Sequence, residues 1–237
     1  MLTAADRALV DKLVLANRIL YRQGIVDGFG HVSVRHDQSS KHFLLASNMA
    51  PALVRRDDIL TFDLGGVALD ARGRRVYLER FIHAEIYRAR TDVQAVVHSH
   101  SLGLIPLGVT RQTLRPVYHM CGFLGEGAAS FEIRDVGGDT DMLISNAMLG
   151  VALASALGTR SVVLMRGHGS TVVGSSIEQA VYRAVYAEAN ARLQIQATQL
   201  GEVAFLSPQE AAKAAGMNDS QLPRAWELWT REVGDID

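Results

Sequence analysis

The chain has 237 residues, 48% of them hydrophobic, with 24 lysines and arginines against 25 aspartates and glutamates and a formal net charge of −1. That balance excludes a nucleic-acid binder driven by phosphate neutralisation, and no apolar stretch is long enough to cross a bilayer. The single cysteine, Cys121, excludes an internal disulfide framework. With no signal-peptide pattern at residues 1–7, a cytoplasmic location is expected. Five scattered prolines and no linker or low-complexity tract make 1–237 one expected domain.

In chain order, Thr3 and Asp6 form a capping box ahead of Leu9, Leu13, Ala16 and Leu20, which repeat at helical spacing. This first helix is predicted to end near Gly24. Gly28-Phe29-Gly30 turns the chain into an alternating strand, His31–Arg35, and His36 and His42 flank the next turn, where solvent exposure is expected. Residues 43–46 and Ile59–Asp63 read as further strands, and Gly65-Gly66 is expected to lead into a fourth at 67–69. Residues 81–90 are helical, with Ile82, Ile86 and Ala89 on one side. Residues 95–100 are β-branched and apolar, the pattern of a buried strand. The stretch 103–139 is loop-rich. A helix predicted from Asp141 to about Leu157 precedes a strand at Val162–Met165, and the longest helix follows a Ser175-Ser176 cap and spans from about Ile177 to Leu200. Ser207-Pro208-Gln209-Glu210 is another capping box, with proline at the first helical position. A short helix carrying Trp226 and Trp229 closes the chain. The order favours one layered α/β domain over an all-parallel one.

Strand side chains alternate, so His98 and His100 share a face, about 7 Å apart along the strand. Two such imidazoles can bind one metal ion from one side. His168, in Arg166-Gly167-His168-Gly169, closes a facial three-nitrogen set that leaves coordination positions open, as in a catalytic metal site. The alternative is a hydrogen-bonded core pair, which is less economical because each buried ring needs a separate partner. Glu79 precedes the 81–90 helix, and three roles stay open for it: a charge on the helix dipole, a further metal ligand, or a general acid/base. Arg80 and Arg166 are open between neutralising an anionic substrate and ordinary ion pairing. His83 is expected to be packed. Three imidazoles suit manganese, zinc, iron or cobalt alike, so one divalent ion per subunit is expected, its element unassigned.

These motifs, from Glu79-Arg-Phe-Ile-His-Ala-Glu through Val96-Val-His-Ser-His100 to Arg166-Gly-His-Gly169, give a chain that resembles the class II aldolase/adducin family from its first helix to about Leu200. The resemblance implies a three-layer α/β/α fold around a mostly antiparallel central sheet. It also implies a divalent ion on His98, His100 and His168, Glu79 as acid/base, and a homotetramer with sites at subunit boundaries. Sugar-phosphate aldolases of this family carry a serine pair before the glutamate, a Gly-Asn turn and a Thr-Pro-Ser-Gly-like loop that together cradle phosphate. Here those stretches read Tyr77-Leu78, Gly30-His31 and Ala46-Ser-Asn-Met-Ala-Pro51, so most phosphate donors are gone.

A histidine after the Gly-Phe-Gly turn, Glu79-Arg-Phe-Ile-His83 and Tyr118-His119-Met120 are similar instead to the metal-dependent decarboxylase branch. That branch acts on hydroxylated aromatic or pyridine carboxylates such as dihydroxyphthalate and hydroxy-methylpyridine dicarboxylate. The resemblance thus implies decarboxylation of a small anionic aromatic acid. Glu79, His31 and His119 are the catalytic candidates, and Ser47, Asn48, Arg80 and Tyr118 the substrate contacts. Three alternatives remain: an aldolase or dehydratase acting on a small sugar or keto acid, an iron-dependent oxygenase, and a non-catalytic adducin-like scaffold. The presence of all three ligands opposes the last.

Overall fold

The structure, a computed structural model, describes residues 5–234. One seven-stranded sheet organises them: β1 (His31–Arg35), β2 (His42–Ala46), β3 (Ile59–Asp63), β4 (Ala95–Ser99), β5 (Ala129–Phe131), β6 (Val162–Met165) and β7 (Gly169–Gly174). Their order across the sheet is β3-β2-β1-β4-β7-β6-β5. Every pairing is antiparallel except that of β5 with β6. The central strands are buried on both faces, which is why they read as near-continuous apolar runs.

Alternation divides these strands between two cores. Val32, Val34, Ala95, Val97, Leu164 and Val172 face α1 (Arg7–Arg22) and α6 (Ile177–Leu200). Phe43, Leu45, Leu60, Phe62, Val96 and Val173 face α2 (Arg80–Ala89) and α5 (Ala147–Leu157). The expected α/β/α layering therefore follows from strand period two. Helix α1 buries Leu13, Ala16 and Leu20. Helix α6, capped by Ser176 Oγ accepting from the Gln179 amide, buries Ala180, Ala184, Ala187 and Ala191, small residues that let it lie close to the sheet. On the other face, Phe43 stacks on Phe62 with ring centroids 5.2 Å apart.

Two short helices, α3 (Ile105–Gly108) and α4 (Arg134–Gly137), interrupt the loop-rich stretch, together with a 3₁₀ turn at His119–Leu124 and strand β5. The expectation of loop alone overlooked β5, whose three residues are too few to show a period. Helices α7 (Pro208–Asp219) and α8 (Leu222–Val233) follow the expected Ser207 capping box, in which Ser207 and Glu210 exchange hydrogen bonds. Among the described residues, no helix is long and apolar enough to cross a membrane.

Several expectations are corrected. Asp6 alone caps α1, its carboxylate accepting from the Ala8 amide, and Thr3 lies outside the described residues. Residues 67–69 form no strand: they make one bridge, Ala68 to Phe62, because the Asp63 carboxylate captures the Gly65 and Val67 amides. Helix α5 begins at Ala147 rather than near Asp141, since Asn146 caps it through the Leu149 amide. His36 is buried rather than solvated, its Nδ1 accepting from the Gln38 amide at 3.0 Å.

Strand β7 was absent from the expected elements because Gly169 and Gly174 bracket it like turn residues. Gly169 is required there by close approach. A Cβ at that position would stand 2.1 Å from the Ser99 carbonyl oxygen on β4. Gly169→Ala must therefore push β7 away from β4, lowering unfolding stability by about 1–3 kcal/mol in a denaturant titration and weakening whatever His168 binds.

Candidate metal centre

His98 is fully buried on β4, on the face covered by α2, while His100 follows immediately after the strand ends at Ser99. His168 stands in the turn between β6 and β7, and antiparallel pairing of β7 with β4, Ser99 opposite Ser170, carries that turn back beside the end of β4. The three Nε2 atoms converge: His98 to His100 is 3.3 Å and His100 to His168 is 3.2 Å. Nitrogens held at about 2.0–2.1 Å from one ion stand roughly 3.0–3.4 Å apart, so this is the spacing of a ligand set.

Glu79 occupies the N-cap position of α2 but makes no capping hydrogen bond to that helix. Its Oε1 accepts from the Ile144 amide at 2.9 Å, and its Oε2 lies 3.5 Å from Nε2 of both His98 and His168. The ligand atoms of Glu79, His98, His100 and His168 all fall within 4.8 Å of one another. Burial presses the Glu79 carboxyl upward, yet His98 and the hydrogen bond from His168 prevail and hold it well below the usual carboxylate range. Burial pushes His98 down to about 3 against the opposing pull of Glu79, and it lowers His100 too. Imidazole nitrogens converging beside an ionised carboxylate are the donor set of a divalent cation. The residues present fit one.

His31 lies opposite His98 across the β1–β4 pairing, with ring centroids 5.0 Å apart. The turn before it depends on Gly30, at φ +91°, where a Cβ would stand 2.7 Å from Val26 Cγ1 and 3.1 Å from the His98 carbonyl oxygen. His31 Nδ1 is 2.6 Å from His83 Nε2, and His83 Nδ1 is 2.6 Å from Ser33 Oγ. Burial pushes His83 down to about 3. The ring of Tyr77 packs on His31 with centroids 4.6 Å apart, and its hydroxyl donates to the Met49 carbonyl. Tyr77 thereby connects the 47–49 loop to the site. Phe29, 70% exposed, holds its ring 6.4 Å from that of His100.

The remaining candidates separate. Ser47 is buried, its hydroxyl directed to Met49 Sδ at 3.7 Å, and Asn48 is exposed with its amide donating to the Arg75 carbonyl. Arg80, expected on substrate, is instead committed to backbone. Its guanidinium donates to the Gly66 carbonyl at 2.7 Å and the Tyr77 carbonyl at 3.0 Å, so it braces the segment bearing Tyr77 and Glu79. Arg166 pairs with Glu132 at 2.5 Å. Tyr118 packs against the α6-side core, and His119 is exposed beside a groove of about 450 Å³ lined by Tyr182, Tyr186 and Trp229. The structure does not bring either to the histidine cluster of the same chain.

Sequence reading missed Tyr77, Ser33 and Tyr87. The available signals were polar His31 and Ser33 on one face of a buried strand, and His83 and Tyr87 one helical turn apart on α2. The loop after His100 is also anchored, since the Gly103 amide donates to both oxygens of buried Glu188 on α6, each at 3.0 Å.

Replacing His100, the half-buried ligand at the mouth, by alanine should abolish stoichiometric divalent metal on elemental analysis while leaving the circular dichroism spectrum intact. Full occupancy in that variant refutes the ligand set. The metal-free protein should also be acid-sensitive. His83 and His98 titrate near 3 when folded against an ordinary 6.5, so the unfolded chain binds their protons first. Stability is fully present above pH 6.5 and falls as pH drops toward 3. Glu79 adds its own loss only below its ordinary 4.5. Thermal unfolding in chelator at pH 7.5 and pH 5 checks this: equal midpoints contradict it.

Comparison with known proteins agrees with this geometry. Residues 11–195 match the family described as the Class II Aldolase and Adducin N-terminal domain. Decarboxylase tropJ of Talaromyces stipitatus is 36% identical over 239 residues, covering 91% of this chain and 90% of that protein. The 3,4-dihydroxyphthalate decarboxylase of Arthrobacter keyseri is 32% identical over 201 residues, covering 81% of this chain and 79% of that protein. Among solved structures, L-fuculose 1-phosphate aldolase from Glaciozyma antarctica superposes with a TM-score of 0.78 at 24% identity, covering 95% of this chain and 88% of that one. An aldolase II superfamily protein from Pseudomonas syringae gives 0.79 at 23% identity, covering 98% and 94%. Those two structures share the fold, and the sequence matches carry the relationship further: the chain belongs to the class II aldolase and adducin family.

Proposed function

We propose that the protein is a metal-dependent, non-oxidative decarboxylase of a hydroxylated aromatic or pyridine carboxylate, of the dihydroxyphthalate or hydroxy-methylpyridine dicarboxylate kind. The observation that carries this reading is the Glu79–His98–His100–His168 cluster with His31 and Tyr77 packed beside it, at sequence positions where the sugar-phosphate aldolases carry phosphate donors. Here His31 stands in place of the asparagine of their Gly-Asn turn and Tyr77-Leu78 in place of the serine pair, and the two rings pack on each other. The decarboxylase names of relatives more than 30% identical over most of the chain support it.

A bound divalent cation supplies Lewis acidity to neighbouring carboxylate and hydroxyl oxygens of the substrate. The chain's own groups handle the proton. Glu79, ionised and anchored through Oε1 to the Ile144 amide, takes the proton of the substrate hydroxyl. The deprotonated oxygen pushes an electron pair through the ring to the carboxylate-bearing carbon, to which Glu79 returns the proton. The bond from that carbon to the carboxylate carbon then breaks, its electron pair restores the aromatic ring and the charge on the oxygen, and carbon dioxide leaves. His31 orients a polar substituent, and Tyr77 and Phe29 exclude water from the ring faces. In a homotetramer, Tyr118 and His119 would complete a neighbouring subunit's site rather than their own. The resident ion is manganese, zinc, iron or cobalt.

Metal-loaded protein should release carbon dioxide from one or more members of a panel of hydroxyaromatic and hydroxypyridine carboxylates. Efficient cleavage of a sugar phosphate with no carbon dioxide from any aromatic acid overturns the reading in favour of an aldolase. Glu79→Gln should reduce turnover by about two to four orders of magnitude with metal retained, and unchanged turnover removes Glu79 from the chemistry. His31→Asn should lower decarboxylation without creating sugar-phosphate cleavage.

A further inference from the structure

A run of short polar contacts leads from the site into the protein. His31 Nδ1 is 2.6 Å from His83 Nε2, His83 Nδ1 is 2.6 Å from Ser33 Oγ, and Ser33 Oγ is 2.8 Å from Tyr87 Oη. The Tyr87 hydroxyl then donates to the Gln94 carbonyl at 3.5 Å. His31, Ser33, His83 and Tyr87 are at most 4% exposed. Arg35, the nearest cation, spends its guanidinium on the carbonyls of Ser40, Tyr87, Arg90 and Val93 and carries no proton into the chain.

Each link has one hydrogen and two atoms, so the whole run points one way or the other. If it points away from the site, His31 Nδ1–H donates to His83, His83 Nδ1–H to Ser33, the Ser33 hydroxyl to Tyr87 and Tyr87 to the Gln94 carbonyl. Four hydrogens then meet four acceptors. If it points toward the site, His31 carries its hydrogen on Nε2, for which no acceptor stands among the described residues, and the Tyr87 link to Gln94 is lost. The direction away from the site therefore makes one more hydrogen bond within the protein and is the better satisfied.

We propose that His83, Ser33 and Tyr87 are positioning residues that lock His31 in the Nδ1–H tautomer, with Nε2 bare toward the substrate. Resting on the decarboxylase reading, this assigns the substituent that meets His31: an acceptor nitrogen receives a hydroxyl, whereas a carboxylate there would face a lone pair. The sequence thus selects a ring with a hydroxyl on the His31 side and its departing carboxylate elsewhere.

The decisive variant is Tyr87→Phe, three hydrogen bonds from His31 and nearly unchanged in shape. Without the Tyr87 oxygen, the Ser33 hydroxyl turns to His83 Nδ1, His83 donates from Nε2, and His31 takes its hydrogen on Nε2. Nitrogen-15 NMR of zinc-loaded protein labelled at histidine reads this directly, with the His31 signals identified by their loss in His31→Asn. Wild type should show protonated Nδ1 and bare Nε2, and Tyr87→Phe the reverse. A wild-type Nε2–H form, or no change in Tyr87→Phe, overturns the proposal. His83→Gln, whose amide offers both an acceptor and a donor, should retain the wild-type His31 signature, whereas His83→Phe should lose it.

On a decarboxylated acid, Tyr87→Phe and His83→Phe should lower kcat by about 10–100-fold with little change in KM and full metal content. An equal loss in His83→Gln and His83→Phe would mark a packing role and overturn the proposal. The NMR measurement uses no substrate. The expected tautomers without carbon dioxide release would refute the decarboxylase reading and uphold the lock, and carbon dioxide release with the opposite tautomer would do the reverse.

Discussion

The site exists because β4 is held between β1 and β7. That double pairing sets His31, His98 and Thr171 in one row across the sheet, each opposite the next. It also returns the β6–β7 turn to the end of β4, so that His168 meets His100. No ligand is placed by a flexible excursion. Two lie on or just beyond one strand, one on a tight turn, and the carboxylate at the start of a helix packed across the same sheet face. Regular elements fix side chains more narrowly than long loops do, which is what a catalytic centre requires.

Burial does the electrostatic preparation. The imidazoles of His31, His83 and His98 are all kept neutral by desolvation, while Glu79 keeps its charge against the same force because histidines surround it. Neutral nitrogens and one anion suit a divalent cation, which meets fewer protons to displace than it would in water. The arrangement crowds polar rings together, with Nε2 atoms 3.2–3.3 Å apart. Its stability is borrowed from the two apolar cores on either side of the sheet.

Much of this was legible in the chain. His98 and His100 announced themselves because a period of two on an apolar strand is a local signal, β1, β3 and β6 were readable from similarly local patterns, and α6 was legible from its serine cap. Glu79 was visible as a carboxylate before a helix, but only the Ile144 amide and the two histidines show that it turns away from capping. What could not be read was long-range. Strand β7 resembles a turn until the closeness of Ser99 explains Gly169. Arg80 resembles a substrate ligand until the Gly66 and Tyr77 carbonyls claim it. The Ser33–His83–Tyr87 contacts join β1 to α2 across about fifty residues of sequence, and no local pattern reports such a pairing.

Glu188 gives the centre a second dependence. This carboxylate projects from the long helix on the opposite side of the sheet and grips the Gly103 amide with both oxygens, while Arg192 pairs with it at 2.7 Å. The loop leaving His100 is therefore fastened to α6, and two events that look separate share one free energy. An ion bound at His100 would steady the seat of α6 as well, and by linkage a change that loosens α6 would weaken the binding of that ion. The far layer of the fold is in this sense part of the candidate metal centre, although it contributes no ligand atom to it.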